Sequence, residues 1–330
     1  MSGGTRVTAE DVARLAGVSR ATVSYVLNNH PHQTIPDATK QKVLEAAAAL
    51  EYTPLASARI LSRGRSDVVV MLIPDWPLGP VLPQVMDSVG DGLAPFGLEL
   101  FLHRCIAGRP VKNLWNAITP AAVIRVGSLG QDEDESLRRS QIGYLLELAN
   151  TELERGLVLF PGVQTGRLQA QHLASRGHRR IGYAWPADNR LEGFAKARLE
   201  GVRMACADLG LDLPNVQTSS FAPDEASAAV EEWVRAGVTG VCAFNDELAM
   251  ALIEAGHRQG LAIPGDLGVV GVDNLPWGAQ SVPSLSTVAP NPEQIGRVIA
   301  EYVVAGVSDA TAQPERVSSS FISLIERDSA

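Results

Sequence analysis

Near the N-terminus the apolar positions recur at helical spacing. In VTAEDVARLAGVSRATVSYVLN (7–28), Thr8 suits an N-cap with a carboxylate three places on at Asp11, and Val12, Leu15 and Ala16 share one face. Gly17 supplies a turn, Ser19 a second N-cap, and Val23, Val26 and Leu27 the inward face of a second helix ending near Asn28. A polar loop, NHPHQTIPDAT, follows; Pro36 and Asp37 suit a helix start, and Val43, Leu44, Ala47 and Leu50 form the stripe of a third helix. That helix stops before Pro54, which disfavours helical geometry at Thr53.

Two short helices joined by a Gly-containing turn match a helix-turn-helix, whose second helix enters the major groove, although an ordinary helical hairpin shares the pattern. Its outward residues are Arg20, Ala21, Ser24 and Tyr25. Residues 54–66 (PLASARILSRGRS) have too few apolar side chains for a core and read as a linker. Beyond them the rhythm changes. Strands are predicted at 68–73, 98–103, 121–126, 180–184, 240–244 and 268–272, with helices at 81–96, 166–176, 191–209 and 246–259. Such alternation implies parallel sheets covered by helices on both faces, and two such series make two lobes. The acidic run 132–135 reads as a solvated loop before a helix.

Length and composition refine this picture. A chain of 330 residues, 45% of them hydrophobic, holds more than one folding unit. The opening MSGGTRVTAED has no apolar secretory run, and 68–73 is too short to span a bilayer, so a cytoplasmic, nucleoid-associated protein without membrane partners is expected. Cys105, Cys206 and Cys242 lack CxxC spacing and read as core thiols rather than a disulfide or zinc framework. The net charge of −9 is divided unequally: residues 1–66 carry eight basic and five acidic side chains, a net +3, leaving −12 for the remainder. Favourable phosphate contact is thereby confined to one end.

The string DVARLAGVSRATVS, followed by YVLN, the third helix and a Thr-Pro pair, closely resembles the DNA-binding headpiece of the LacI/GalR (lactose/galactose repressor) family of bacterial transcription regulators. HLASRGHRRIGYA, FNDELAMALIEAGHRQGLAIPGDLGVVGVDN and VPSLSTV resemble landmarks of that family's periplasmic-binding-protein-like core. The likeness fades between 76 and 165, where the family's VDG phrase is missing and Pro161-Gly162-Val163 stands where an Asp often precedes a Gly. The resemblance implies an all-α helix-turn-helix headpiece (1–53), a hinge (54–66) and an α/β two-lobed core (67–330), its second lobe mainly 166–288 with a C-terminal segment crossing back. It also implies a DNA-contacting set of Thr8, Ser19, Arg20, Ala21, Thr22, Ser24, Tyr25, Asn28 and His32, with Leu61 as a minor-groove wedge and Ala58 near the partner hinge. Leu55 stands where an asparagine is common, which removes one phosphate contact.

Ligands of open α/β sheets bind beyond the carboxyl ends of the strands, where this chain places Asp75 and Trp76, Asn245 and Asp246, and Asp273 and Asn274. By resemblance the effector set is Asp75, Trp76, Arg198, Phe221, Asn245, Asp246 and Asp273, although Asp246 equally suits the N-cap of the next helix. RLEG occurs twice, so Arg190 competes with Arg198, which the distance to Leu209-Gly210-Leu211 favours. No GxSxG, HExxH, P-loop or GxGxxG lies in strand–helix context, and GDGLAPFG has a proline where a pyrophosphate-binding glycine is needed; no catalytic or metal residue and no cofactor is therefore expected. The implied function is a homodimeric or higher-order regulator on near-palindromic double-stranded operator DNA, more often a repressor than an activator, controlled by a sugar or related small metabolite. A solute-binding protein sharing the core is the alternative; it has no use for a headpiece.

Overall fold

This computed structural model describes residues 7–27, 35–52, 66–106, 108–109, 111–140, 142–149, 157–158, 160–308 and 321–330, and among these described residues the N-terminal unit holds three short helices. They are α1 (Ala9–Ala16), α2 (Arg20–Leu27) and α3 (Asp37–Ala49). Thr8 and Asp11 form a reciprocal capping box: the Thr8 backbone N–H donates to Asp11 Oδ2 at 3.0 Å, and the Asp11 N–H to the Thr8 hydroxyl at 3.4 Å. Gly17, at φ 67°, closes α1 in the left-handed region by donating to Ala13 O. Val12, Ala13, Val23, Val43, Ala46 and Ala47 form the core. Each fully buried valine contributes roughly 1.5–3 kcal/mol. Leu15 and Leu44, expected in that core, are instead 56% and 50% exposed. The small side chains of Ala13, Ala46 and Ala47 lie buried in that core beside the valines.

The chain divides into two compact units, 1–66 with 117–120 and 67–116 with 121–330. In the larger unit, β1 (Val68–Ile73), β2 (Glu99–Arg104), β3 (Ala122–Val126), β4 (Leu145–Ala149) and β5 (Leu157–Val158) form a parallel sheet in the order β2-β1-β3-β4-β5. A second sheet contains β6 (Ile181–Pro186), β7 (Asn215–Ser219), β8 (Gly240–Ala243), β9 (Gly268–Val272), β10 (Ser286–Pro290) and β11 (Ile322–Ile325), in the order β11-β10-β9-β8-β6-β7. Only the β10–β11 pair of that sheet is antiparallel. The helices are α4 (Val81–Leu93), α5 (Lys112–Ala117), α6 (Gln131–Arg139), α7 (Gly162–Ser175), α8 (Glu192–Asp208), α9 (Pro223–Arg235), α10 (Asp246–Arg258) and α11 (Pro292–Val307). Strands β8 and β9 are wholly buried, which explains their unbroken apolar sequences.

The chain passes from first lobe to second after Phe160, returns after Pro290 to lay α11 on α4, and crosses again between Phe321 and Ile322. The α4–α11 contact is close: a Cβ on Gly92 would lie 2.5 Å from Ala300 Cβ, and one on Gly296 2.5 Å from Ser88 Cβ. Several expectations move. The helix predicted at 81–96 ends at Leu93 and continues as a 3-10 turn, Ala94–Phe96. The acidic run is not a loop but the first turn of α6, where carboxylates complement the helix dipole and Asp134 pairs with Arg125 at 2.8 Å. Helix α7 begins at Gly162, before the expected Gly166. All three cysteines are free and buried, as core thiols should be. Among the described residues no helix is long and apolar enough to cross a membrane.

Candidate functional site

In each sheet the strand order reverses beside the first strand of the series, between β1 and β3 and between β6 and β8. Loops at such switch points diverge and leave a crevice outside the carboxyl ends of the strands. Here the two crevices face one another across a cleft of about 360 Å³. The segment after β1 contributes Trp76 and Leu78, the turn after β6 Asp188 and Arg190, the end of β8 Phe244 and Asn245, and the end of β9 Asp273. Phe160, Pro290 and Ile322, at the three crossings between lobes, also line it.

Asp273 is the least conventional residue of this wall. Its φ of 108° and the 54° of Asn274 are positive, a conformation that costs on the order of 1–3 kcal/mol unless surrounding bonds hold it. They do. Asp273 N–H donates to Val288 O at 3.0 Å, Arg327 Nη2 to Asn274 Oδ1 at 2.7 Å, and Leu275 N–H to Asp246 Oδ2 at 2.7 Å. Asp246 is fully buried, its other oxygen accepts from Thr287 Oγ1 at 2.6 Å, and it lies so close over Gly271 that a Cβ there would be 2.1 Å away. Asp246 therefore does not face the cleft, where the sequence reading placed it; its carboxylate shapes the turn that presents Asp273. The cap it was alternatively offered belongs to Asn245, whose Oδ1 accepts from Leu248 N–H at 2.9 Å. Burial pushes the Asp246 carboxyl up to about 6, against the opposing pull of the Thr287 and Leu275 hydrogen bonds. The Asp273 carboxyl is pushed up to about 7 by burial, with the charge of Arg198 pulling it down and those of Asp246 and Glu247 raising it. Among the described residues no side chain or backbone group donates to it, and it forms no ion pair with Arg198.

Arg198 is carried on α8, and the reason it reaches the cleft is a pair of glycines. A Cβ on Gly166 would lie 1.9 Å from Arg198 O and one on Gly201 1.9 Å from Val163 O, so α7 and α8 cross with their backbones touching. The Arg198 guanidinium then lies 4.4 Å from the Phe244 ring centroid and donates to Phe244 O. Arg190 lines the cleft too, but is taken up by Asp188 at 2.7 Å. Gln169, which the sequence did not flag, is wholly buried and donates to Ala243 O, Val270 O and Gly271 O at 2.8, 2.9 and 3.2 Å. It ties together the two strand ends that carry Asn245 and Asp273.

Of the expected effector set, the cleft gathers Trp76, Arg198, Phe221, Asn245 and Asp273. Asp75 stands outside the lining, ion-paired with Arg104. Phe160, Phe194, Asp188 and Glu247 join the wall unforeseen, because no local pattern marks residues brought there by other elements. Phe194 packs edge-on to Trp76, their centroids 5.0 Å apart.

In the headpiece, Ser19 caps α2 by accepting from Thr22 N–H at 3.1 Å, and Ser19, Arg20 and Ala21 are exposed at its N-terminal end. Thr22, Ser24 and Tyr25 are half-buried. The Thr8 hydroxyl is spent on Asp11 Oδ2 at 2.7 Å. Asn28, His32, Ala58 and Leu61 lie outside the described residues.

Comparison with known proteins then decides the ancestry. Residues 8–55 match the model for bacterial regulatory proteins of the lacI family, and 170–330 that for a periplasmic binding protein-like domain. The HTH-type transcriptional repressor PurR of Mannheimia succiniciproducens is 26% identical over 324 residues, covering 94% of this chain and 95% of the relative. The chain belongs to the LacI family of bacterial transcription regulators. Another family member, the ribose operon repressor of Escherichia coli, is 26% identical over 335 residues, covering 98% of this chain and 99% of its own length. The lac repressor dimer bound to operator and the anti-inducer ONPF shares the fold, with a TM-score of 0.78 at 20% identity over 98% of this chain and 99% of its own. LacI-family membership makes this chain a sequence-specific DNA-binding regulator with an effector-binding core, and its relatives are regulators rather than enzymes.

Proposed function

We propose that the chain acts as a homodimeric repressor in the cytoplasm, holding a near-palindromic operator through paired headpieces (1–53) and responding to a small molecule in the interlobe cleft of the core (67–330). The observation that carries the effector half is Asp273: a carboxylate held on a strained but well-braced turn, facing a cavity, with no donor among the described residues. Residues held in such conformations by their surroundings cluster at ligand sites. Arg198, Asn245, Trp76 and Phe221 share the cavity and supply the remaining contacts. For the DNA half, α2 offers Ser19 and Arg20 at its exposed N-terminal end on a headpiece whose charge is positive. Repression and dimerisation follow the PurR and lac repressor relatives. Effector binding changes the lobe arrangement, hence the separation of the two 54–66 linkers, and so the fit to two half-sites. Leu61, with Ala58 beside the partner linker, is the wedge residue of that linker, and Thr8, Asn28 and His32 complete the DNA-contacting set.

Selection of bound sequences from a random DNA pool, with sedimentation of the complex, tests this. A near-palindrome carrying two chains is expected. Recovery of no shared sequence, or one chain per site, would overturn it.

A further inference from the structure

The cleft has two unlike faces. Among the described residues, every side chain that the first lobe contributes to it, from Trp76 through Leu82 and at Phe160, is apolar apart from the indole N–H of Trp76. The charged side chains all come from the second lobe. Several polar groups of that lobe are already engaged: Arg190 by Asp188, Asn245 by Leu248 N–H and by Glu247 Oε2 at 3.3 Å, and one Arg198 nitrogen by Phe244 O. Open to a ligand are the Asp273 carboxylate, with part of the Arg198 fork beside it, and the exposed Glu247 carboxylate. Among the described residues, Asp188, Glu247 and Asp273 also outnumber Arg190 and Arg198 along the wall.

These features set three conditions. A hydroxyl pointing at the first lobe would lose water and find almost no partner. A flat apolar body, by contrast, would lie against the Trp76–Phe194 corner and the proline- and leucine-lined segment. An anionic group placed at the polar wall would meet Asp273 and Glu247 as well as Arg198, whose fork is already partly held by Phe244 O. We propose that the effector is an uncharged two-faced molecule, with a flat apolar ring body against the first lobe and hydroxyl or amide donors along the edge that meets Asp273. The proposal rests on the cleft being the effector site, and narrows it away from fully hydroxylated sugars and organic anions.

Matched probes test the chemistry on the full chain by titration calorimetry: phenyl β-D-glucopyranoside against D-glucose, and benzamide against benzoate. The neutral aromatic member of each pair is expected to bind at least about ten-fold more tightly. Leu78→Asn, in an exposed loop of the apolar wall, should erase the advantage of the phenyl glucoside while leaving the melting temperature unchanged. Equal affinity within a pair, absence of binding by both aromatic probes, or an unaltered preference in Leu78→Asn overturns the proposal. Retardation of selected operator DNA by the unliganded chain is measured in parallel. Its loss overturns the regulator reading and leaves the ligand preference standing, whereas a hydroxylated or anionic ligand that releases DNA does the reverse.

Discussion

Arg190 Nη1 lies 3.8 Å from Asp75 Oδ1, joining the second lobe to the first across the mouth of the cleft. The pair belongs to an alternating chain, Arg104–Asp75–Arg190–Asp188, and sits beside the Trp76–Phe194 contact. Both charges are partly exposed, so the attraction is screened by salt and modest. Arg190→Ala is expected to weaken effector binding by less than about ten-fold. It should also flatten the salt dependence of that binding, with operator affinity in the absence of effector retained. Calorimetry at two ionic strengths reads both effects; an unchanged salt slope would remove Arg190 from the closure contact.

Asp273 couples function to pH. Its folded value, about 7, lies above the ordinary 3.8, so folding favours the protonated form. The associated stability is complete below about pH 4 and is lost as the pH rises through 7. Asp273→Asn should therefore raise the melting temperature by about 2–4 °C at pH 8, leave it unchanged at pH 4, and abolish the effector's influence on DNA. In the wild type, effector affinity should rise between pH 6 and 8 as the carboxylate ionises and accepts the ligand's donors. Thermal melts and titrations across that range check the sign; a mutant less stable than wild type at pH 8 would assign Asp273 a structural role.

Arg20 is exposed at the start of α2 and can reach guanine with two parallel donors. Arg20→Ala is expected to weaken operator binding by about 1–3 kcal/mol and relax preference at one base pair of each half-site. Unchanged selectivity in a sequence-selection assay would exclude it from base reading.

The α7–α8 crossing yields a paired test within one helix. Gly201→Ala forces a Cβ to 1.9 Å from Val163 O, so it should destabilise the core by at least about 1–3 kcal/mol and displace Arg198, weakening effector binding with it. Gly193→Ala meets nothing within 4 Å and should stabilise α8 by about 0.5–1 kcal/mol. Denaturant melts of the two variants that shift in the same direction would contradict the close crossing.

Local pattern alone carried the headpiece and the alternating core. The capping box at Thr8 and Asp11, the left-handed stop at Gly17 and the buried runs of β1, β8 and β9 are all decided by neighbours a few residues apart. Strand-end placement likewise singled out Asn245 and Asp273, because residues beyond the carboxyl end of a buried parallel strand have a crevice to enter. Contacts distant in sequence lie outside that reach. Which headpiece side chains turn inward depends on how closely three helices approach, so Leu15 and Leu44 look apolar enough for a core that Ala13 and Ala46 in fact fill. Asp246 and Asp273 are both carboxylates after a buried strand; one is turned inward by Thr287 and Leu275, the other is left facing the cavity. Edge strands β5 and β7, short or alternately exposed, carry too little burial to mark themselves. The ion pair of Asp75 with Arg190 and the buried reach of Gln169 to Val270 join residues about a hundred or more positions apart, and only the packing of whole elements brings them within bonding distance.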